Sequence, residues 1–133
     1  MIISNNKKMK EEEISVAEWI KNTFGGNIKI INERLDYSKK SPDYLWDNKL
    51  WDLKTVSTNK AANSAVRSGL RQIKTNPGGI VLDYGNYDVE MQEIEKVILR
   101  RMNSSLYQTK NGVDIIVKTK DEVKVIKYKK KKR

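Results

Sequence analysis

Residues 41–54, Ser-Pro-Asp-Tyr-Leu-Trp-Asp-Asn-Lys-Leu-Trp-Asp-Leu-Lys, constrain the fold of this chain more than any other stretch. Aromatic and aliphatic runs flank Asp47-Asn48, and two such runs joined by two turn formers spell a tight β-hairpin. Asn and Asp tolerate positive φ, so they suit the loop. That loop pairs Trp46 with Lys49, Leu45 with Leu50, Tyr44 with Trp51 and Asp43 with Asp52. Directly opposed residues have Cβ atoms ~4.5–5.5 Å apart, where like charges repel. Lys54, two residues beyond Asp52, leaves the same face of its strand. Two carboxylates and an ammonium on one face suit a hard cation and a phosphate. The bland alternative is a surface hairpin with solvated charges. Trp46, Leu50, Trp51 and Leu53 weigh against it, because they embed the charged face in a core element.

The chain around this hairpin has 133 residues, enough for one domain with a proper core. Its formal charge is +10, from 27 basic and 17 acidic residues, which points to a polyanionic partner. Nucleic acid is the first candidate and an anionic membrane surface the second, with a merely soluble basic protein as the plain alternative. The absence of cysteine removes disulfides, thiol nucleophiles and zinc–thiolate sites. The absence of histidine removes the usual neutral-pH acid/base group, and with it any ribonuclease built on a catalytic histidine. Residues 1–10 carry no apolar core of a signal peptide and no membrane span, so no membrane insertion is expected of this domain.

The remaining elements follow from periodicity. Residues 1–10 are polar and expected to be disordered. Glu11 to Phe24 forms a helix with Ile14, Val16, Ala17, Ile20 and Phe24 along one stripe. Glu11-Glu12-Glu13 complements its dipole, and Gly25-Gly26 ends it. Ile28 to Asn32 is a short strand, and Glu33 to Ser41 a polar connection. A second helix, Lys60 to Lys74, buries Ala62, Val66, Leu70 and Ile73 and presents Arg67, Arg71 and Lys74 as a basic stripe. Asn76-Pro77-Gly78-Gly79 terminates it, and Ile80-Val81-Leu82 reads as a strand covered on both faces. Asp88 is placed to cap a third helix reaching about Met102, with Met91, Ile94, Val97, Ile98 and Met102 buried. Val113–Val117 and Val123–Tyr128 form a closing hairpin before a basic tail, 129–133. The expected fold is α/β (α+β), a mixed central sheet flanked by helices, in one domain over 11–128.

At the hairpin, two touching carboxylates raise one another's pKa unless a cation neutralises them. Oxygen-only ligation favours Mg2+, with Mn2+ as substitute, over zinc. Such a cation acidifies water and holds a phosphate oxygen, while Lys54 orients the attacking water or stabilises charge at phosphorus. These pieces suit phosphodiester cleavage.

Proline-aspartate followed by Asp/Glu-x-Lys on the adjacent strand resembles the signature of the PD-(D/E)xK nuclease superfamily. Here it stands as Pro42-Asp43 and Asp52-Leu53-Lys54. The superfamily's restriction-endonuclease-like core, αβββαβ, matches the element order read over 11–83, to which this chain adds a third helix and the C-terminal hairpin. The run from Gly25-Gly26 through Pro42–Trp46 and Trp51–Thr55 is similar to the C-terminal tRNase domain of contact-dependent growth inhibition (CdiA-like) toxins. Ala65-Val66-Arg67 with Gln72, and Gly78–Asp83, continue that likeness. The resemblance implies Asp43 and Asp52 as metal ligands and Lys54 as the catalytic lysine. It adds Glu13, on the inward stripe of the first helix, as a third ligand, and Gln72 as a polar group near the site. Simpler roles for these two are a charge at a helix N-terminus and a solvated amide. It further implies a secreted toxin, delivered as part of a larger protein into the target-cell cytoplasm, with tRNA as substrate and a cognate immunity protein as inhibitor.

Phosphate contacts would supply most of the grip on such a substrate, and Arg67, Arg71 and Lys74 are the candidates. A tyrosine or tryptophan near the site can stack an unpaired RNA base. Competing readings are a DNA endonuclease of the same fold, a metal-independent ribonuclease toxin, and a basic nucleic-acid-binding module without catalysis.

Overall fold

The computed structural model describes residues 11–31, 42–104 and 112–128. The expected disordered segment 1–10, the polar connection 33–41 and the basic tail 129–133 lie outside them. The described elements run α1 (Glu11–Phe24), β1 (Ile28–Ile30), β2 (Tyr44–Trp46), β3 (Lys49–Thr55), α2 (Ala61–Ile73), β4 (Pro77–Asp83), α3 (Met91–Ser104), β5 (Val113–Lys118) and β6 (Val123–Tyr128). The strands form one six-stranded sheet in sequence order. β3, β4 and β5 are parallel, and the pairs at both edges are antiparallel. This is the mixed sheet flanked by helices that the sequence predicts.

Connectivity decides which face each helix covers. α2 links β3 to β4 and α3 links β4 to β5, each joining adjacent parallel strands in the same direction. Such crossovers share one hand, so both helices land on one face of the sheet. There Val66, Leu70 and Ile73 of α2 meet Ile94, Ile98 and Met102 of α3 over Ile80, Leu82, Ile115 and Val117. α1 covers part of the other face, where Val16, Ala17 and Ile20 pack on Tyr44, Trp51, Leu53, Val81 and Ile116. Strand residues alternate between these layers: Leu53, Val81 and Ile116 are mutual partners in register and share the α1 layer. Asp52, Ile80 and Ile115, one residue earlier in each strand, turn toward α2 and α3.

The hairpin forms in the expected register, with Tyr44, Leu45 and Trp46 opposite Trp51, Leu50 and Lys49. Asp47 and Asn48 take φ of 50° and 67°, the left-handed pair that a two-residue turn of this type requires.

Two boundaries differ from expectation. Pro77-Gly78-Gly79 does not lie between helix and strand; it opens β4, a central strand. Pro77 is tolerated as the first residue of the strand. The two glycines are demanded by Trp51, because a β-carbon at either would collide with its indole, and one at Gly79 would also strike the Asp114 carbonyl. The third helix starts at Met91 rather than just after Asp88. Asp88 is exposed with its carboxylate 3.9 Å from Lys120, while the Asn59 side-chain oxygen accepts from the Glu90 amide at 3.2 Å. Phe24, expected on the buried stripe of α1, is 40% exposed.

Candidate active site

Asp43 is fixed by its backbone before its side chain acts. Its amide donates to the Trp51 carbonyl at 3.0 Å and its carbonyl accepts from Ile31 at 2.9 Å, which ties the start of β2 to both neighbouring strands. Trp51 is also the register partner of Tyr44. Asp43 therefore crowds against a residue already paired, and the simple Asp43–Asp52 rung expected from the turn does not form. Instead the Asp43 Oδ2 accepts the Leu53 amide at 2.7 Å. That bond aims the carboxylate along β3, where it meets the Asp52 carboxylate side by side.

Asp52 is 1% exposed, the buried charged residue of the described core. Its Oδ2 stands 3.0 Å from the Lys54 Nζ. Burial, then the Asp43 charge and a hydrogen bond to Asp43, raise the Asp52 carboxyl from 3.8 to about 8, against the opposing pull of Lys54. A single lysine does not balance two touching carboxylates out of water, so the pair retains a proton near neutral pH.

Glu13 and Gln72 stand differently. The main-chain carbonyl of Glu13 accepts the Tyr44 hydroxyl at 2.6 Å, which clips the first turn of α1 to β2. Burial first, then the charges of Asp43, Glu13, Asp83 and Asp52, push the Tyr44 phenol far above its ordinary range. Glu13 thus lies on the α1 face of the sheet, near enough for its charge to act on Tyr44, whereas Asp52 turns toward α2 and α3. Among the described residues, however, no three acidic side chains close into a metal-holding group. Gln72 is half-buried on α2, which packs over β3 and β4. Arg67, Arg71 and Lys74 are all exposed on that helix, opposite its buried stripe.

Two residues that the sequence reading did not single out join this end of the sheet. Asp83 and Lys118 are register partners at the C-terminal ends of β4 and β5, with Nζ 3.9 Å from the Asp83 Oδ1. The same Asp83 oxygen accepts the Gly85 amide at 2.9 Å, and Lys118 lies 5.4 Å above the Trp19 ring. A charged residue directly after an apolar parallel strand was the available signal, since such sheets bind ligands beyond the carboxyl ends of their strands.

The donor set suits a hard divalent cation. Asp43 and Asp52 offer only carboxylate oxygens, and the proton they share occupies a place a cation can take. Two protein carboxylates suffice for Mg2+, which keeps several waters.

A protein-family model, Contact-dependent growth inhibition CdiA C-terminal domain, matches residues 39–131 of the chain. No curated protein sequence matches. Among solved structures, the CdiA-CT/CdiI toxin and immunity complex from Burkholderia pseudomallei contains a chain with the same fold. It superposes at a TM-score of 0.56 over 95% of both chains, with 20% sequence identity.

Proposed function

The chain belongs to the contact-dependent growth inhibition CdiA C-terminal domain family, and on that premise we propose that it is a metal-dependent endoribonuclease toxin of PD-(D/E)xK type. Its substrate is tRNA in the cytoplasm of a target bacterium, which it reaches as part of a larger delivered protein. Its inhibitor is a cognate immunity protein, the kind of partner named in the complex from Burkholderia pseudomallei. No helix among the described residues is long and apolar enough to cross a membrane. The observation that carries the nuclease reading is the contact of Asp43 with Asp52, with Lys54 3.0 Å from Asp52, on adjacent strands of an α-β-β-β-α-β order.

Asp43 and Asp52 would hold Mg2+, with Mn2+ able to replace it. The cation supplies acidified water and neutralises a phosphate oxygen. Asp43 is kept in place by the Leu53 amide, so its carboxylate needs no reorganisation when substrate arrives. Lys54 is 23% exposed at its side chain, open enough to reach a phosphate and orient the attacking water. Arg67, Arg71 and Lys74 face solvent on the side of the sheet toward which Asp52 and Lys54 point, and contact phosphates further along the RNA.

A metal-independent ribonuclease is the second reading, favoured by the gathering of two rather than three carboxylates among the described residues. Both are tested by incubating the protein with total tRNA and with plasmid DNA, in Mg2+ or EDTA, beside Asp52→Asn and Lys54→Ala. The expected result is Mg2+-dependent tRNA cleavage that falls by at least about a hundredfold in each variant, with plasmid intact. Cleavage that persists in EDTA but needs Lys54 selects the metal-independent reading. Plasmid nicking without tRNA loss makes the protein a deoxyribonuclease, and RNA binding without cleavage makes it a binding module.

A further inference from the structure

On the α1 side of the sheet a groove of about 560 Å³ lies at the Phe24 end of α1, floored by residues of β2 to β6. One wall is aromatic. Trp46 and Trp51 stand with ring centroids 4.6 Å apart, and Phe24 packs on Trp46 at 5.9 Å. The opposite side is the exposed Val125 beside the buried Ile116, and the rim carries Lys49, Lys127 and Asp114.

The wall is built rather than accidental. The Trp46 indole donates to the Gly25 carbonyl at 3.1 Å, and a β-carbon at Gly26 would run into that ring. Gly78 forms bare lining beneath Trp51, where any side chain would fill the slot. Yet Phe24, at the end of this wall, is left 40% exposed, although an aromatic side chain gains most from being covered.

We propose that this groove takes an unpaired base of the RNA substrate, stacked on Phe24 and Trp46, with Lys49 and Lys127 on its flanking phosphates. The proposal rests on the ribonuclease reading above. An aromatic wall stacks any base. Asp114, held by Lys127 at 3.7 Å, offers an acceptor for an exocyclic amine, a feature a purely apolar occupant would not use. The charge of +10 favours a polyanion over an acidic-neutral small molecule. Trp51 and Asp52 are consecutive but face opposite sides of the sheet, so a base held here does not touch the reacting phosphate. The groove contributes to binding and leaves the chemical step alone.

The test is steady-state cleavage of tRNA by the parent protein and by Phe24→Ala, Trp46→Leu, Lys127→Glu and Phe24→Tyr, with thermal melts alongside. Phe24→Ala is expected to raise KM roughly five- to a hundredfold, the worth of one stacked base. Its kcat should stay within about twofold, and Phe24→Tyr should restore KM. Because Trp46 also packs in the core, its variant counts only if it melts with the parent; Phe24 and Lys127 are exposed and carry the test regardless. Unchanged KM in folded Phe24→Ala and Lys127→Glu overturns the base site while leaving the nuclease intact. So does a defect confined to immunity-protein binding. A parent that neither binds nor cuts RNA overturns the ribonuclease reading, and the base site falls with it.

Discussion

The Asp52 carboxylate lies 3.0 Å from the Lys54 ammonium, yet its proton is held up to about pH 8, because burial and the Asp43 charge outweigh the lysine. The sign of the resulting pH dependence is fixed. The native carboxyl binds its proton more tightly than the unfolded one, whose value is 3.8. The stability this contributes is fully present below the unfolded value and is lost as pH rises through the native one. Metal-free protein therefore loses stability between about pH 4 and about pH 8. Asp52→Asn, which stays neutral, should flatten that slope and melt several degrees higher than the parent at pH 8. Melts across the range in EDTA check this, and an unaltered slope in the variant would refute it.

Adding Mg2+ turns the same linkage around. A carboxylate pair must be ionised to bind the cation, so uptake at pH 7 should expel about one proton per site. Affinity should climb with pH through about pH 8 and level off only above it, once Asp52 has lost its proton. Calorimetric titration in two buffers of different ionisation heat measures the proton directly. Binding without proton release would mean that the cation sits elsewhere.

Trp51 imposes a cost at Gly79 that backbone conformation alone would not. A methyl there meets the indole and the Asp114 carbonyl, whereas one at Gly85 finds open space. Gly79→Ala should destabilise by about 1–3 kcal/mol or more through overpacking against rigid neighbours. Gly85→Ala, at φ +56°, should cost only about 1 kcal/mol for the left-handed backbone. Urea unfolding of the two variants gives the comparison; equal losses would show that packing at Trp51 is not the reason for the glycine.

That glycine pair also shows what the sequence could and could not reveal. The hairpin was legible because alternation and the Asp47-Asn48 turn are local, and they predict the observed register of Tyr44, Leu45 and Trp46. The apolar faces of α2 and α3 were legible for the same reason. Pro77-Gly78-Gly79 read as a break, since nothing nearby in sequence announces a tryptophan lying across it from β3. The start of α3 was misplaced because the group that meets the Glu90 amide is Asn59, on a different segment. At the site, Asp43, Asp52 and Lys54 were readable from one hairpin. Asp83 and Lys118 were not, because only the parallel register of β4 and β5 brings them together.

Tyr44 links the first helix to the site through one hydroxyl. Its bond to the Glu13 carbonyl is 2.6 Å long and its ring is fully buried. Tyr44→Phe removes that hydrogen bond while the helix keeps its own, a loss of about 1 kcal/mol. If α1 orients the carboxylates through this clip, cleavage should fall as well, with the fold otherwise retained. Urea melts and cleavage rates of the variant separate the two effects; full activity with lowered stability would make the clip purely structural.

The basic stripe makes the last prediction. Arg67, Arg71 and Lys74 lie at exposed positions on the side of α2 away from its buried residues. Exposed cations gain little from folding, so replacing all three with glutamine should leave the melting temperature nearly unchanged. RNA affinity should drop and, more diagnostically, its salt dependence should weaken. Each lost phosphate contact lowers the slope of log K against log salt by about 0.7–0.9. A triple variant should therefore bind RNA with a slope shallower by about 2–3 than the parent, while kcat at saturating RNA is retained. A parallel salt plot with unchanged slope would place the RNA backbone on another face of the protein.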